Sequence, residues 1–134
     1  MTYTLQAASV DVPPVDALTS GLVDDAFIYI TGQLAYDASL GGVVAADNSA
    51  RQTEVIFDRI EALLAAEGAT LDDLRKVTIY IVDIGDLMPM NAVYARRLGR
   101  LRPARSTLGV AFLALPGARV EIEAVARRPR RRND

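Results

Sequence analysis

Proton transfer near neutral pH in this chain must fall to its carboxylates, its five tyrosines, the single Lys76 or water held by backbone groups, because the 134 residues include no histidine and no cysteine. Those two absences exclude zinc sites of the usual ligand types, thiol nucleophiles and every dyad or triad that uses imidazole. Glu and Asp lead the remaining candidates. Lys76 has the chemistry for a Schiff base, but it follows Arg75 where a strand begins, an ordinary place for an exposed lysine. No GxGxxG, no Walker-type loop and no calcium-loop spacing of carboxylates occurs, and Gly41-Gly42 reads as a turn.

The most informative polar spacing lies in the last third. Arg105 sits in Pro103-Ala104-Arg105-Ser106, just ahead of an expected strand over 106–113. The segment 118–126 alternates: Val120, Ile122, Ala124 and Ala126 share one face of a strand, while Arg119, Glu121 and Glu123 share the other. Taken alone, Arg105 is an ion-pairing residue in a loop, and the two glutamates are rim charges.

The elements that must hold these groups follow from periodicity and punctuation. A weak first strand is expected over 3–10, a clear one over 26–33, and a short one at Val43-Val44 after the glycine turn. A helix is expected from Asn48 or Ser49 to Glu67, with Ser49 and Gln52 at capping-box spacing, Gly68 as the stop, and Val55, Ile56, Ile60, Leu63 and Leu64 as its core stripe. Residues 70–74 read as one capped turn and 76–82 as a strand. Residues 87–98 form a second helix, with Pro89 in its first turn, Gly99 past its end, and Arg96, Arg97 and Arg100 toward water or a neighbour. This order predicts a single α+β domain with two helices on one face of a mixed sheet. Apolar residues at both parities of 26–33 and 76–82 predict that the other face is closed by further copies of the chain.

With the elements in place, Pro103-Ala104-Arg105-Ser106 followed by Val120 to Ala126 resembles the paired PARS and IEIEAIA signatures of the RidA/YjgF family. Thr31-Gly32-Gln33 resembles that family's SGQ, and Asn91-Ala92-Val93-Tyr94 its N-x-x-Y helix, so the resemblance spans about residues 17–127. It implies a chorismate-mutase-like fold and a homotrimer with active sites between subunits. It also implies cofactor-free, metal-free hydrolysis of reactive imine and enamine acids to keto acids and ammonia. Under that resemblance Arg105 binds the substrate carboxylate and Glu121 handles the attacking water. Thr107, Thr31 and Asn91 complete the pocket. The family's GPY element is absent: its tyrosine position falls on Leu18, which gives the wall shape but no hydroxyl. That departure predicts a substrate bulkier or more apolar than the smallest 2-imino acids. A non-catalytic module that binds small carboxylates, and an RNA-binding or ribonuclease role, are the competing readings.

Bulk properties agree with a soluble globular domain. The chain is 51% hydrophobic and 24% charged with a formal charge of -2, which signals no acidic or basic partner. The arginine-rich end over 128–134 reads as a solvated tail, and 6% aromatic residues argue against stacking platforms for RNA. No apolar run spans a bilayer and the first ten residues lack a signal-peptide pattern, so a cytoplasmic location is expected.

Overall fold

Alternation in the last strand decides how the sheet faces its helices. In the computed structural model, which describes residues 1–130, that strand is β8 (Val120–Arg127), and Val120, Ile122, Ala124 and Ala126 are all buried on one side. The other strands are β1 (Tyr3–Thr4), β2 (Gly21–Val23), β3 (Phe27–Gln33), β4 (Tyr36–Asp37), β5 (Gly42–Val43), β6 (Leu74–Ile81) and β7 (Ala104–Gly109). Six of them form one sheet in the order β1-β2-β3-β8-β6-β7, and β4 with β5 makes a separate hairpin. Only β6 and β7 run parallel, because the helix between them returns the chain to the same end of the sheet. The mixed α+β architecture is thus the one expected.

Helices α1 (Ser49–Ala65) and α2 (Leu87–Leu98) lie side by side on the face that carries Ile28, Ile30, Val77, Ile79 and Ile122. From α1 the residues Ile56, Phe57, Ile60, Leu63 and Leu64 are buried, and from α2 Met90, Val93, Tyr94 and Leu98. Phe57 meets Tyr94 edge to face, with ring centroids 5.8 Å apart. Each such side chain contributes about 1.5–3 kcal/mol by leaving water. Arg96 and Arg97 pair with Glu54, Asp58 and Glu61 on α1, so the helices are also joined at their solvent rim.

Several local expectations change. The helix cap is Asn48, whose side chain accepts from the Arg51 amide, and Ser49 is already helical. Gln52 is fully buried and cannot close a capping box. It donates to the carbonyls of Ala45 and Gly117 and accepts from the Arg119 amide, which clamps the loop ahead of β8. The first strand shrinks to two residues because the chain leaves the sheet after Leu5 and crosses to α1, where the Asp11 carbonyl meets Arg59, while β2, unmarked by alternation, supplies the β3 neighbour. The strand expected over 106–113 starts earlier and ends at Gly109, since its pairing with β6 ends where Ile81 meets Gly109. Thr70 and Asp73 do form the reciprocal cap expected of residues 70–74.

Across one row of the sheet, Tyr3 pairs with Val23, Val23 with Ile28 and Ile28 with Ala126. Among the described residues no helix is long and apolar enough to cross a membrane. Of the arginine-rich end, residues 131–134 lie outside the described residues.

Candidate active site

Arg105 projects toward the helices. It stands opposite Val77, a core residue of β6, at the edge of the sheet formed by β7. Its Nε donates to Thr107 Oγ1 at 2.9 Å and its Nη2 donates to Asn91 Oδ1. The guanidinium carbon lies 4.4 Å from the centre of the Tyr94 ring, a stacking distance. Asn91 and Tyr94 are three residues apart on α2 and so share one helix face. All of these partners are neutral, and no described carboxylate pairs with Arg105. Three contacts therefore fix a planar cation whose remaining N–H groups are free for an anion.

Two open grooves flank this fork. One, of about 350 Å³, is lined by Asn91, Tyr94, Arg102, Pro103 and Arg105. The other, of about 420 Å³, is largely apolar and runs past Thr107 between Ile81, Ile84, Leu87 and Val110. Burial pushes the Tyr94 phenol above its ordinary value, and the nearby Arg105 and Arg102 charges oppose that rise.

Glu121 projects the other way. Its neighbours Val120 and Ile122 are fully buried under the helices, so its carboxyl lies on the open face of the sheet. Pairing of β3 with β8 slips between Ile30 and Gln33, and the slip frees Thr31 and Gly32 from the regular ladder. Over that bulge rests the Glu121 carboxyl: a Cβ on residue 32 would stand 2.6 Å from Oε2 and 2.8 Å from its carboxyl carbon. Burial, and then the neighbouring charge of Glu123, raise the Glu121 carboxyl above the ordinary value. On the same face Tyr80 donates to Glu123, and that hydrogen bond lifts the Tyr80 phenol. Arg119 is committed to Asp86, 3.1 Å away.

Thr31, Gly32 and Leu18 line one small enclosed cavity of about 10 Å³, together with Ser20, Gln33 and Arg59. The residues singled out in the sequence therefore form two sets. Arg105, Thr107 and Asn91 meet at the β7 edge, and Glu121, Thr31 and Leu18 gather around the β3 bulge. Within one chain Arg105 and Glu121 point to opposite sides of the sheet. A pocket holding both Arg105 and Glu121 requires one set from each of two copies.

Sequence reasoning missed three contributors. Tyr94 was read within the N-x-x-Y motif, yet its ring carries the Arg105 stack. Gly32 was read within a motif and not as the floor under Glu121. Arg59, only 8% exposed, was missed although it interrupts the apolar stripe of α1 between Ile56 and Leu63. Among the described residues no group of three or more metal-ligating side chains comes together.

The sequence model of the family described as Endoribonuclease L-PSP matches residues 10–128. A RutC family protein of Pyrococcus horikoshii is 35% identical over 113 residues, covering 84% of this chain and 88% of that protein. Among solved structures, a Rid family protein of Yersinia pestis, titled as of unknown function, superposes with a TM-score of 0.83 at 29% identity, covering 95% of this chain and 99% of that one. RidA from an Antarctic Psychrobacter superposes equally well, with a TM-score of 0.83 at 28% identity and coverage of 93% and 98%.

Proposed function

Since the chain belongs to the Endoribonuclease L-PSP family, which also bears the YjgF and Rid names, we propose that it is a cofactor-independent hydrolytic deaminase of reactive imine and enamine acids. The observation that carries this reading is the Arg105 fork, held by Thr107, Asn91 and Tyr94 and left without a carboxylate of the protein's own. A held guanidinium without an anion is suited to a substrate carboxylate.

In the proposed reaction the carboxylate of a 2-imino acid rests on Arg105, which presents its C=N carbon to a water on Glu121 of a second copy. As the water oxygen bonds to the carbon of the protonated imine, the π pair moves to nitrogen and Glu121 accepts one proton of the water. Glu121 returns that proton to the carbinolamine nitrogen and then takes the hydroxyl proton as the C–N bond breaks, which leaves a keto acid and ammonia. An enamine acid first takes a proton on carbon and then follows the same course. A carboxyl raised above its ordinary value is a stronger acceptor for the water's proton than an ordinary glutamate, and alignment of water with the imine carbon supplies much of the acceleration. The apolar groove beside Thr107 supports a substituent larger than methyl, as does a leucine at position 18 where the family's tyrosine would stand. Equal or better turnover of the imines of alanine or threonine breakdown would count against that substrate class.

The reading places the assembly as a homotrimer with sites between subunits. Imine generated by an amino-acid oxidase should decay faster with the purified protein than without it. Arg105→Ala and Glu121→Gln proteins, each inactive alone, should regain a fraction of activity when their subunits are exchanged. If exchange restores nothing while both variants stay assembled, the divided site is wrong. If the wild-type protein speeds no imine decay but a small carboxylate still raises its melting temperature, the chain is a binding module. Cleavage of RNA by wild type but not by Arg105→Ala would favour a ribonuclease.

A further inference from the structure

Among the described residues Arg59 is a buried cation without a direct salt bridge, and its hydrogen bonds go to three separate segments. Nε donates to Gln33 Oε1 at 3.0 Å, Nη1 to the Tyr36 carbonyl at 3.1 Å and Nη2 to the Asp11 carbonyl at 2.6 Å. Burial pulls its guanidinium below the usual arginine value, the nearby Asp11 and Tyr36 oppose that fall, and none of the salt bridges among the described residues involves it. Burying a charge is costly unless fixed dipoles replace its water. An apolar residue of similar length would fill this place in the α1 stripe at lower cost, so the guanidinium needs a reason to be there.

The contacts supply one. Gln33, itself 3% exposed, spends its amide hydrogen on the Thr31 carbonyl at 2.8 Å. Thr31 and Gly32 are the two residues of the β3 bulge, and Glu121 lies against Gly32. The Asp11 carbonyl begins the crossing segment that brings Leu18 to the same cavity, and Arg59 lines that cavity as well. One guanidinium thus ties the bulge beneath Glu121 to the segment that carries Leu18.

We propose that Arg59 is a positioning residue: through Gln33 it sets the Thr31–Gly32 bulge that seats Glu121, and through Asp11 it sets the wall that bears Leu18. The seating holds whether or not the chain hydrolyses imines; only its effect on rate rests on the function proposed above.

The test follows the Glu121 carboxyl itself, by carbon-13 NMR titration of the assembled protein, in wild type, Arg59→Met, Arg59→Lys, Gln33→Met and the Arg59→Met/Gln33→Met double variant. Groups facing Glu121 in the structure, namely Glu123 and Tyr80, are unchanged in every variant. Arg59→Met and Gln33→Met should each move the Glu121 midpoint down toward the ordinary carboxylate range, and the double variant should move it no further than either single one. Arg59→Lys, which loses the Nε contact to Gln33, should resemble Arg59→Met. Where imine hydrolysis is present, kcat should fall on the order of tenfold to a hundredfold with KM little changed, the mark of misplaced machinery. An unchanged Glu121 midpoint in folded Gln33→Met and Arg59→Lys overturns the proposal, as do additive shifts in the double variant. Should Arg59→Met fail to fold, those two variants still decide the question. A shifted midpoint in a protein that hydrolyses no imine keeps the positioning role and removes the deaminase reading.

Discussion

Glu121 occupies the space in which a side chain at position 32 would begin: Gly32 has no Cβ, and one placed there would stand 2.6 Å from Glu121 Oε2. The strand slip that frees Gly32 and the carboxyl that fills the gap belong to different strands, so the seat exists only after β3 and β8 have paired.

Gly32→Ala should therefore separate stability from chemistry. The atom that must yield is the end of a flexible side chain, and the backbone at residue 32 is not in the left-handed region. Melting should shift only slightly, while kcat for imine hydrolysis falls on the order of tenfold or more as Glu121 swings aside. Thermal denaturation beside steady-state kinetics reads both, and full activity in a folded Gly32→Ala protein would contradict the seat.

Glu121→Gln should act through pH. The folded carboxyl is raised by burial and by Glu123, so the folded state favours its protonated form. The stability it confers is complete below the unfolded value and is lost as pH rises through the folded one. Gln carries no such loss: the variant should gain melting temperature relative to wild type as pH rises across that window. Wild-type activity should decline as pH falls through the same raised value, above the ordinary Glu range. The variant should lose on the order of a hundredfold or more in kcat while still binding carboxylates.

Arg105→Lys tests the fork. An ammonium cannot keep the Thr107 and Asn91 contacts and stack on Tyr94 at once. Loss of a charge-assisted hydrogen bond, about 1.5–3 kcal/mol, predicts roughly tenfold to a hundredfold weaker binding of a small carboxylate by calorimetry. Equal affinity in Arg105→Lys would show that charge alone suffices.

Assembly should be necessary for activity. Phe27, Tyr29 and Val125 crowd the open face, which no helix among the described residues covers. Val125→Arg should shift light scattering toward the mass of a single chain and remove activity together with assembly. An active single chain would mean that Arg105 and Glu121 need not meet.

The sequence made some of these relationships legible and hid others for physical reasons. Strict alternation in β8 announced that Glu121 faces away from the core, since a strand leaves a side chain only two directions. Helix α2 matched its expected bounds because an early proline and a following glycine both acted locally. Gln52 was misjudged because its partners, Ala45, Gly117 and Arg119, are brought to it by tertiary folding, which outweighs a local cap. The side on which Arg105 projects was hidden because the register of β7 is set by its pairing with β6 and not by alternation of its own exposed residues. Arg59 left a trace, a charge within an apolar stripe, but its meaning lies in carbonyls 23 and 48 positions away.

The row that joins Tyr3, Val23, Ile28 and Ala126 sets the two ends of the fold only three strand spacings apart, roughly 14 Å, with Glu121 farther along β8. About four or five residues would bridge that gap at roughly 3.3 Å each. The hairpin of β4 and β5 turns at Leu40 and Gly41 in open space, so fresh termini could be cut there. A rewired polypeptide reading from residue 41 through the old ends to residue 40 should regain the native circular dichroism spectrum. Order along the chain would then be a convenience of synthesis, and adjacency in the sheet the true constraint.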